Sequence, residues 1–283
     1  MVTSLRSQYG LKELLETVEL PRATYYDRLK RAQKPDKYAK VKAFIKALYY
    51  GSDETYGYRR IHDEAINHGF NYAEETYRRL MSDMGLKVTV YSKHTSQYHS
   101  YKGEVGKTAP NLLKQKFDAK QPLTALHTDV TQVRLYNGQW GYISVITDEA
   151  SREVLSAVVS GSPNKALIQA TLDELQPRLT ESSEPILHSD QGWQYQLPAY
   201  QKRLKSLGVI QSMSRKGNCH DNAPVESFFS LMKRECLNRY RINDLSGLKE
   251  LVNRYVQWFN NVRISRNTNG LTPVEYRNQA MVA

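Results

Sequence analysis

Three acidic residues stand in contexts suited to shared chemistry. Asp129 lies in Leu126-His127-Thr128-Asp129-Val130-Thr131, Asp190 in Ile186-Leu187-His188-Ser189-Asp190-Gln191-Gly192, and Glu226 in Asp221-Asn222-Ala223-Pro224-Val225-Glu226-Ser227. Thirty-five residues separate Asp190 from Glu226, and Lys233 follows Glu226 by seven positions, two turns along one helical face. Two aspartates ending short apolar strands, with a glutamate on a later helix, can hold a pair of divalent ions. In-line attack on a phosphodiester puts negative charge on the entering and leaving oxygens, and two ions about 4 Å apart stabilise both. Magnesium prefers carboxylate oxygens, and manganese is expected to substitute. Histidine or cysteine clusters would favour zinc, but His94 and His99 are isolated and no CxxC pair occurs.

The composition suits such a reaction. The 283 residues allow one large domain or two modest ones. Lys and Arg number 40 against 29 Asp and Glu, a formal charge of +11 with pI near 9.4. The excess is uneven: residues 1–120 hold 22 basic and 14 acidic side chains, residues 121–283 hold 18 and 15. A basic arm beside an acid-bearing core fits a DNA-binding segment attached to a catalytic domain. Cys219 and Cys236 read as reduced thiols of a cytosolic protein. No signal peptide opens the chain and no apolar run reaches the ~18–20 residues of a membrane span.

Several elements must position the acids. Residues 1–38 read as a small helix-turn-helix-like segment: Leu11, Leu14, Leu15 and Val18 have helical spacing, Pro21 starts a second turn, and Tyr25, Tyr26 and Leu29 face inward. Residues 39–86 read as a three-helix DNA-binding module. Val41, Phe44, Ile45 and Leu48 mark its first helix, and Gly69 and Gly85 stop the next two. Arg59, Arg60, Arg78 and Arg79 are its candidate DNA contacts; a solvated face explains paired arginines equally well. Residues 87–121 lack periodicity and read as a basic linker.

From residue 122 the pattern changes. Strands are expected near 125–135, 141–148, 153–160, 185–189 and 209–212, and helices near 163–179, 197–207 and 223–237. The order predicts an α/β core at 122–240, a mixed sheet flanked by helices, followed by a helical extension at 241–283 with a long helix over 245–262. Asp129 shares its strand face with His127 and Thr131, and Glu226 falls in the first turn of its helix with Ser230 and Lys233 on the same face. Lys233 and Arg234 are candidate DNA contacts. His127 and His188, each two residues before an aspartate, are expected to support the metal site from behind. Asp221 and Asn222 are expected to cap the helix, with Asn222 also reaching DNA. Trp258-Phe259 is expected to pack on the core.

These residues resemble the transposases of the insertion sequence 3 family, whose core is similar to retroviral integrase. The resemblance rests on 127–131, 188–192 and 218–235, on Trp258-Phe259-Asn260-Asn261-Val262-Arg263, and on Leu271-Thr272-Pro273-Val274-Glu275-Tyr276. Residues 41–85 resemble the helical module that precedes that core. The resemblance implies an RNase H-like fold and a two-magnesium site built by Asp129, Asp190 and Glu226. It implies cleavage at element ends to free a 3′ hydroxyl, then strand transfer by that hydroxyl. The implied partners are the element's terminal inverted repeats, target DNA, further copies of the chain on DNA, and an upstream-frame protein carrying a helix-turn-helix and leucine zipper. The implied location is the bacterial cytoplasm, at the nucleoid. The chain starts at Met1 without zipper heptads and reads as a downstream product. The alternatives are an RNase H-like nuclease that cuts without joining, and a DNA-binding regulatory partner of transposition.

Overall fold

The computed structural model describes residues 2–32, 34–90, 108–180, 183–215 and 219–282. His94, His99, residues 91–107 of the expected linker and the Cys219 side chain lie outside the described set. Six helices come first: α1 (Val2–Leu5), α2 (Leu11–Thr17), α3 (Arg22–Ala32), α4 (Ala39–Gly51), α5 (Tyr58–Asn67) and α6 (Glu74–Asp83). The apolar faces of α4, α5 and α6 bury Val41, Ile45, Ile61, Tyr77 and Leu80 around Tyr56. Gly69 and Gly85 both adopt positive φ, and the residues after them, Phe70 and Leu86, donate back to Ala65 and Met81 at 2.8 and 2.9 Å. Those bonds satisfy carbonyls that the helix ends leave open, which is why glycine stops α5 and α6 where the sequence places it.

The core is a five-stranded mixed sheet in the order β3-β2-β1-β4-β5. Strands β1 (Ala125–Arg134), β2 (Trp140–Asp148) and β3 (Val154–Ser160) form an antiparallel meander. Helices α7 (Lys165–Leu175) and α8 (Pro198–Ser206) then carry the chain to β4 (Ile186–Ser189) and β5 (Ile210–Met213), both parallel to their neighbours. This is the mixed sheet flanked by helices that the pattern predicts, in the RNase H-like arrangement that the resemblance implies. One sheet face packs Leu126, Ile146 and Leu187 against α7 and α8. The other packs Ile143 and Val145 against Val225, Phe228 and Met232 of α9 (Ala223–Glu235) and Leu248, Val252 and Phe259 of α10 (Leu245–Asn261).

Two parts of the fold differ from the expectation. The end of the supposed linker is a strap on the core: Leu112 N–H donates to Ser212 Oγ at 2.9 Å, and Ala119 N–H to Glu149 Oε1 at 2.9 Å. Polar side chains hidden across the fold make these bonds, so residue-by-residue periodicity carries no sign of them. An additional helix, α11 (Pro273–Val282), follows α10. Its signal was Thr272-Pro273-Val274-Glu275, a capping box: Thr272 N–H donates to Glu275 Oε2 at 2.8 Å and Glu275 N–H to Thr272 Oγ1 at 3.3 Å.

The N-terminal module is docked on the C-terminal part of the chain. Ile264 and Trp258 join its apolar core. The Tyr56 hydroxyl donates to Val262 O at 3.1 Å and accepts from Ile264 N–H at 2.9 Å. Phe259 is 4% exposed and half-buried Trp258 packs against the same core, as expected, and Arg263 is also 4% exposed, while Val262 between them is exposed. Among the described residues no helix is long and apolar enough to cross a membrane.

Candidate active site

β1 is the central strand, and His127 is in register with His188 on β4. Asp129 therefore lies two residues further along β1, and Asp190 two residues further along the neighbouring parallel chain, just past the end of β4. Asp129 sits within β1 rather than at its end, since the strand runs on to Arg134. Its face pairs with Val145 and Ile143, the side covered by α9. Glu226 occupies the first turn of α9, where a carboxylate also suits the helix dipole.

Each aspartate is held by a backbone amide through one oxygen. Asp129 Oδ1 accepts from Val130 N–H at 2.7 Å, and Asp190 Oδ1 from Gly192 N–H at 2.8 Å. A Cβ at position 192 would stand 2.7 and 2.8 Å from the Gln194 side-chain amide and 2.9 Å from Asp190 Oδ1, so both side chains would have to shift to admit it. Burial raises the pKa of Asp129 above the carboxylate range, and the charges of Asp190 and Glu226 add to it. The Val130 amide and Lys233 oppose the rise. Burial likewise raises Asp190. Lys233 is pushed down by burial and supported by Asp129. The cluster thus concentrates negative charge in a poorly solvated place with one lysine facing it.

The donor set is all oxygen and matches hard divalent cations. A bound cation would relieve the like charge that Asp190 and Glu226 place on Asp129. Among the described residues, however, no three His, Cys, Asp or Glu side chains converge closely enough to cage an ion.

Behind the aspartates lies a polar layer. His127 and His188 are both 0% exposed. His127 Nε2 meets Glu149 Oε2 at 2.7 Å, and its Nδ1 meets Asn222 Oδ1 at 3.2 Å. Burial works against the charge of Glu149, but the His127 bond and the Ala119 amide hold its carboxyl below the usual range. His188 Nδ1 meets Ser212 Oγ at 2.8 Å, and burial with His127 nearby pushes its pKa down to about 4. Asn222 Nδ2 donates to Thr128 O at 3.1 Å. The residue at the start of α9 is thus tied to the strand that carries Asp129.

Several expected contacts change role. Asn222 is buried and engaged inside, so it faces the sheet rather than DNA, and it makes no side-chain cap. Asp221 caps nothing either. Its fully buried carboxylate takes bonds from Arg215, Asn111 and Gln115 between 2.7 and 3.0 Å, pinning the loop before α9 to the strap. The Arg215 bond holds its pKa well below the carboxylate range despite burial. Arg60 turns inward, 3.5 Å from buried Glu235 and over the Tyr56 ring. Arg59 lies 3.6 Å from Glu74, and Arg78 is bonded to Glu75 at 2.8 Å. Arg79 stacks on Tyr38. Arg234 is exposed at the end of α9. Glu149, Asn111, Gln115 and Arg215 were missed because each sits in a turn or loop whose local pattern says nothing of its distant partner.

Residues 119–219 and 226–281 each match an integrase core domain, and residues 35–94 match an HTH-like domain. The chain is 43% identical over 279 residues to the putative transposase InsK for insertion sequence element IS150 of Escherichia coli, covering 99% of this chain and 97% of that one. It is 28% identical to the transposase InsF for insertion sequence IS3A of Escherichia coli, covering 97% and 96%. The solved HTLV-2 integrase catalytic core domain in complex with magnesium aligns with 18% identity and a TM-score of 0.43 over 56% of this chain and 97% of that one.

Proposed function

The chain belongs to the insertion sequence 3 family of transposases, with an integrase core, and from that premise we propose that Asp129, Asp190 and Glu226 carry cleavage of element ends and strand transfer. The observation that supports this reading is that Asp129 on β1, Asp190 just past β4 and Glu226 in the first turn of α9 lie near enough for the charges of Asp190, Glu226 and Lys233 all to act on Asp129. Asp129 and Asp190 would each ligate through the oxygen that the backbone amides leave open, and Glu226 would complete the set. Two magnesium ions, or manganese in their place, would when bound stabilise charge on the entering and leaving oxygens.

The chain's own residues do the rest. Backbone bonds from Val130 and Gly192 fix the two aspartates before substrate arrives. Lys233 offers a point charge to a phosphate oxygen beside the acids. Arg234, Arg59, Arg78 and Arg79 are exposed enough to contact DNA phosphates. His127, through Asn222, keeps the start of α9 against β1 and so sets where Glu226 enters. Further copies of the chain would act on paired ends, in the bacterial cytoplasm at the nucleoid, with an upstream-frame protein supplying additional end recognition.

A branched DNA that mimics a strand-transfer product tests the site without the element's end sequence. In magnesium or manganese, wild type should resolve it and Glu226→Gln should not. Hydrolysis without any joined product would instead mark a nuclease, and DNA binding without turnover a regulatory partner.

A further inference from the structure

At the far end of β1, three exposed arginines lie on three exposed aromatic rings. Arg134 lies over Trp140 with its guanidinium carbon 5.1 Å from the ring centre, and the two residues are cross-strand partners. Arg241 lies over Tyr136 at 3.3 Å, and Arg254 over Tyr240 at 5.6 Å. Trp140, Tyr136 and Tyr240 are 40%, 66% and 41% exposed. The pairs are contiguous: 240 and 241 are neighbours in sequence, and Tyr136 N–H donates to Ile242 O at 2.8 Å, tying the hairpin to that segment.

Arg22 on Tyr26 and Arg79 on Tyr38 share this arrangement singly, and what sets these three apart is that they are contiguous. Arg60, Arg178, Arg203, Arg239, Arg263 and Arg277 all pair with carboxylates. Among the described residues Arg134, Arg241 and Arg254 have no carboxylate within ion-pair distance, although acids stand nearby. Asp53 is taken by Arg239 and Tyr240, and Asp244 by the Gly247 amide. Glu250 lines the adjoining hollow of about 430 Å³ without pairing to any of the three. A guanidinium stacked on a ring is held in a fixed plane while its N–H edge stays open, which suits phosphate oxygens.

We propose that this band of three arginine–aromatic pairs binds the backbone of the duplex whose scissile phosphate occupies the acidic cluster. Five residues of β1 lead from Asp129 to Arg134, and the odd offset turns Arg134 and Trp140 to the sheet face opposite Asp129, so the band lies around the end of the β1–β2 hairpin from the acids. The distance along the strand is roughly 16 Å at ~3.3 Å per residue. That is about five base pairs of duplex at ~3.4 Å each, so the band grips DNA beyond the reacting bond. The location, though not the binding itself, rests on the function proposed for the acids.

Binding of a labelled duplex of arbitrary sequence is to be measured by anisotropy across a salt series, in EDTA, for the full chain. Arg134→Ala/Arg241→Ala/Arg254→Ala should bind at least about tenfold more weakly. Its log affinity against log salt should be flatter by about 2 to 3, since each lost phosphate contact removes about 0.9. The triple Lys variant should recover most of the slope but not all of the affinity, because lysine keeps the charge and loses the stacked plane. An unchanged slope in the Ala variant, with the native circular dichroism, overturns the proposal. So does a change in sedimentation with unchanged DNA binding, which would make the band a protein interface. A flatter slope in a chain that fails to process branched DNA would sustain the band and sink the catalytic reading; the reverse result would do the opposite.

Discussion

Helix α9 carries glutamates near both ends, and their surroundings differ in kind. Glu235, 5% exposed, is bonded by Arg263 at 2.9 and 2.8 Å and by the Tyr255 hydroxyl at 2.9 Å, with Arg60 beside it. Burial opposes its charge, but Arg263 first and then Arg60 and Tyr255 hold its pKa below the carboxylate range. Glu226, two and a half turns earlier, acts on Asp129 together with Asp190, and burial and like charge raise the pKa of Asp129 against the Val130 amide and Lys233. One end of the helix is electrostatically closed and joins the N-terminal module to the core. At the other, like charges act on a buried aspartate, and it is there that we propose a cation and a substrate bind. A buried carboxylate with its arginines marks structure; buried carboxylates left to repel each other mark a site.

The largest effect should come from breaking the open end. Asp129→Asn or Glu226→Gln should lower strand transfer by about a thousandfold or more, as loss of several kcal/mol of charge stabilisation implies, in a branched-DNA assay. The folded state should not suffer, and magnesium should raise the Tm of wild type but not of Asp129→Asn. Equal melting with and without magnesium in wild type would remove the distinction between the two ends.

The closed end should fail in the opposite manner. Glu235→Ala leaves Arg263 buried and unpaired, at a cost of about 3–5 kcal/mol in urea unfolding. Activity per folded molecule should be little changed. A loss below about 1 kcal/mol would show that Arg263 finds water instead.

Gly192→Ala should fall between these. A methyl against Asp190 Oδ1 displaces the carboxylate, and misplacement of about 1 Å lowers turnover by roughly a hundredfold. Stability measured by thermal melting should move by about 1 kcal/mol or less.

The pH dependence sharpens the contrast through its sign. Asp129 and Asp190 have raised native pKa values, so the metal-free folded state holds protons that the unfolded chain has released. Their ionisation should therefore lower stability as pH climbs from the ordinary carboxylate range through the raised native values, and Asp129→Asn should flatten that fall. Glu235 is depressed, so its contribution is present above its unfolded pKa and lost as pH drops through its native one. Urea melts from pH 3 upward separate the two. The smallest effect is expected at Arg78→Ala, within about 0.5 kcal/mol of stability, since its partner Glu75 is exposed. A larger change in DNA affinity than in stability would place that helix on DNA.

Much of this was legible in the chain. Two-residue alternation marked the strands, and the positive φ at Gly69, Gly85 and Gly208 ended helices where glycine stands. The elements that carry the three acids were legible because apolar strands and a short helix start confined each one. Asp221 was not, because a loop aspartate reads the same whether it caps a helix or takes Arg215, Asn111 and Gln115 from elsewhere. Arg60 was misread for a similar reason: a helical pattern shows which face is polar, and only the docking of another element shows that this face is covered.

The sequence by itself determined the strand and helix order, the three acids and their elements, because local periodicity and backbone preference act over a few residues. Tertiary structure alone decided which polar groups met. It set His127 between Glu149 and Asn222, drew 108–120 onto β5 and the loop before α9, and seated the N-terminal module on Ile264 and Trp258. Those pairings span up to about two hundred residues of chain, as between Tyr56 and Ile264, and their bonds form only once the apolar layers have brought the partners together and excluded water.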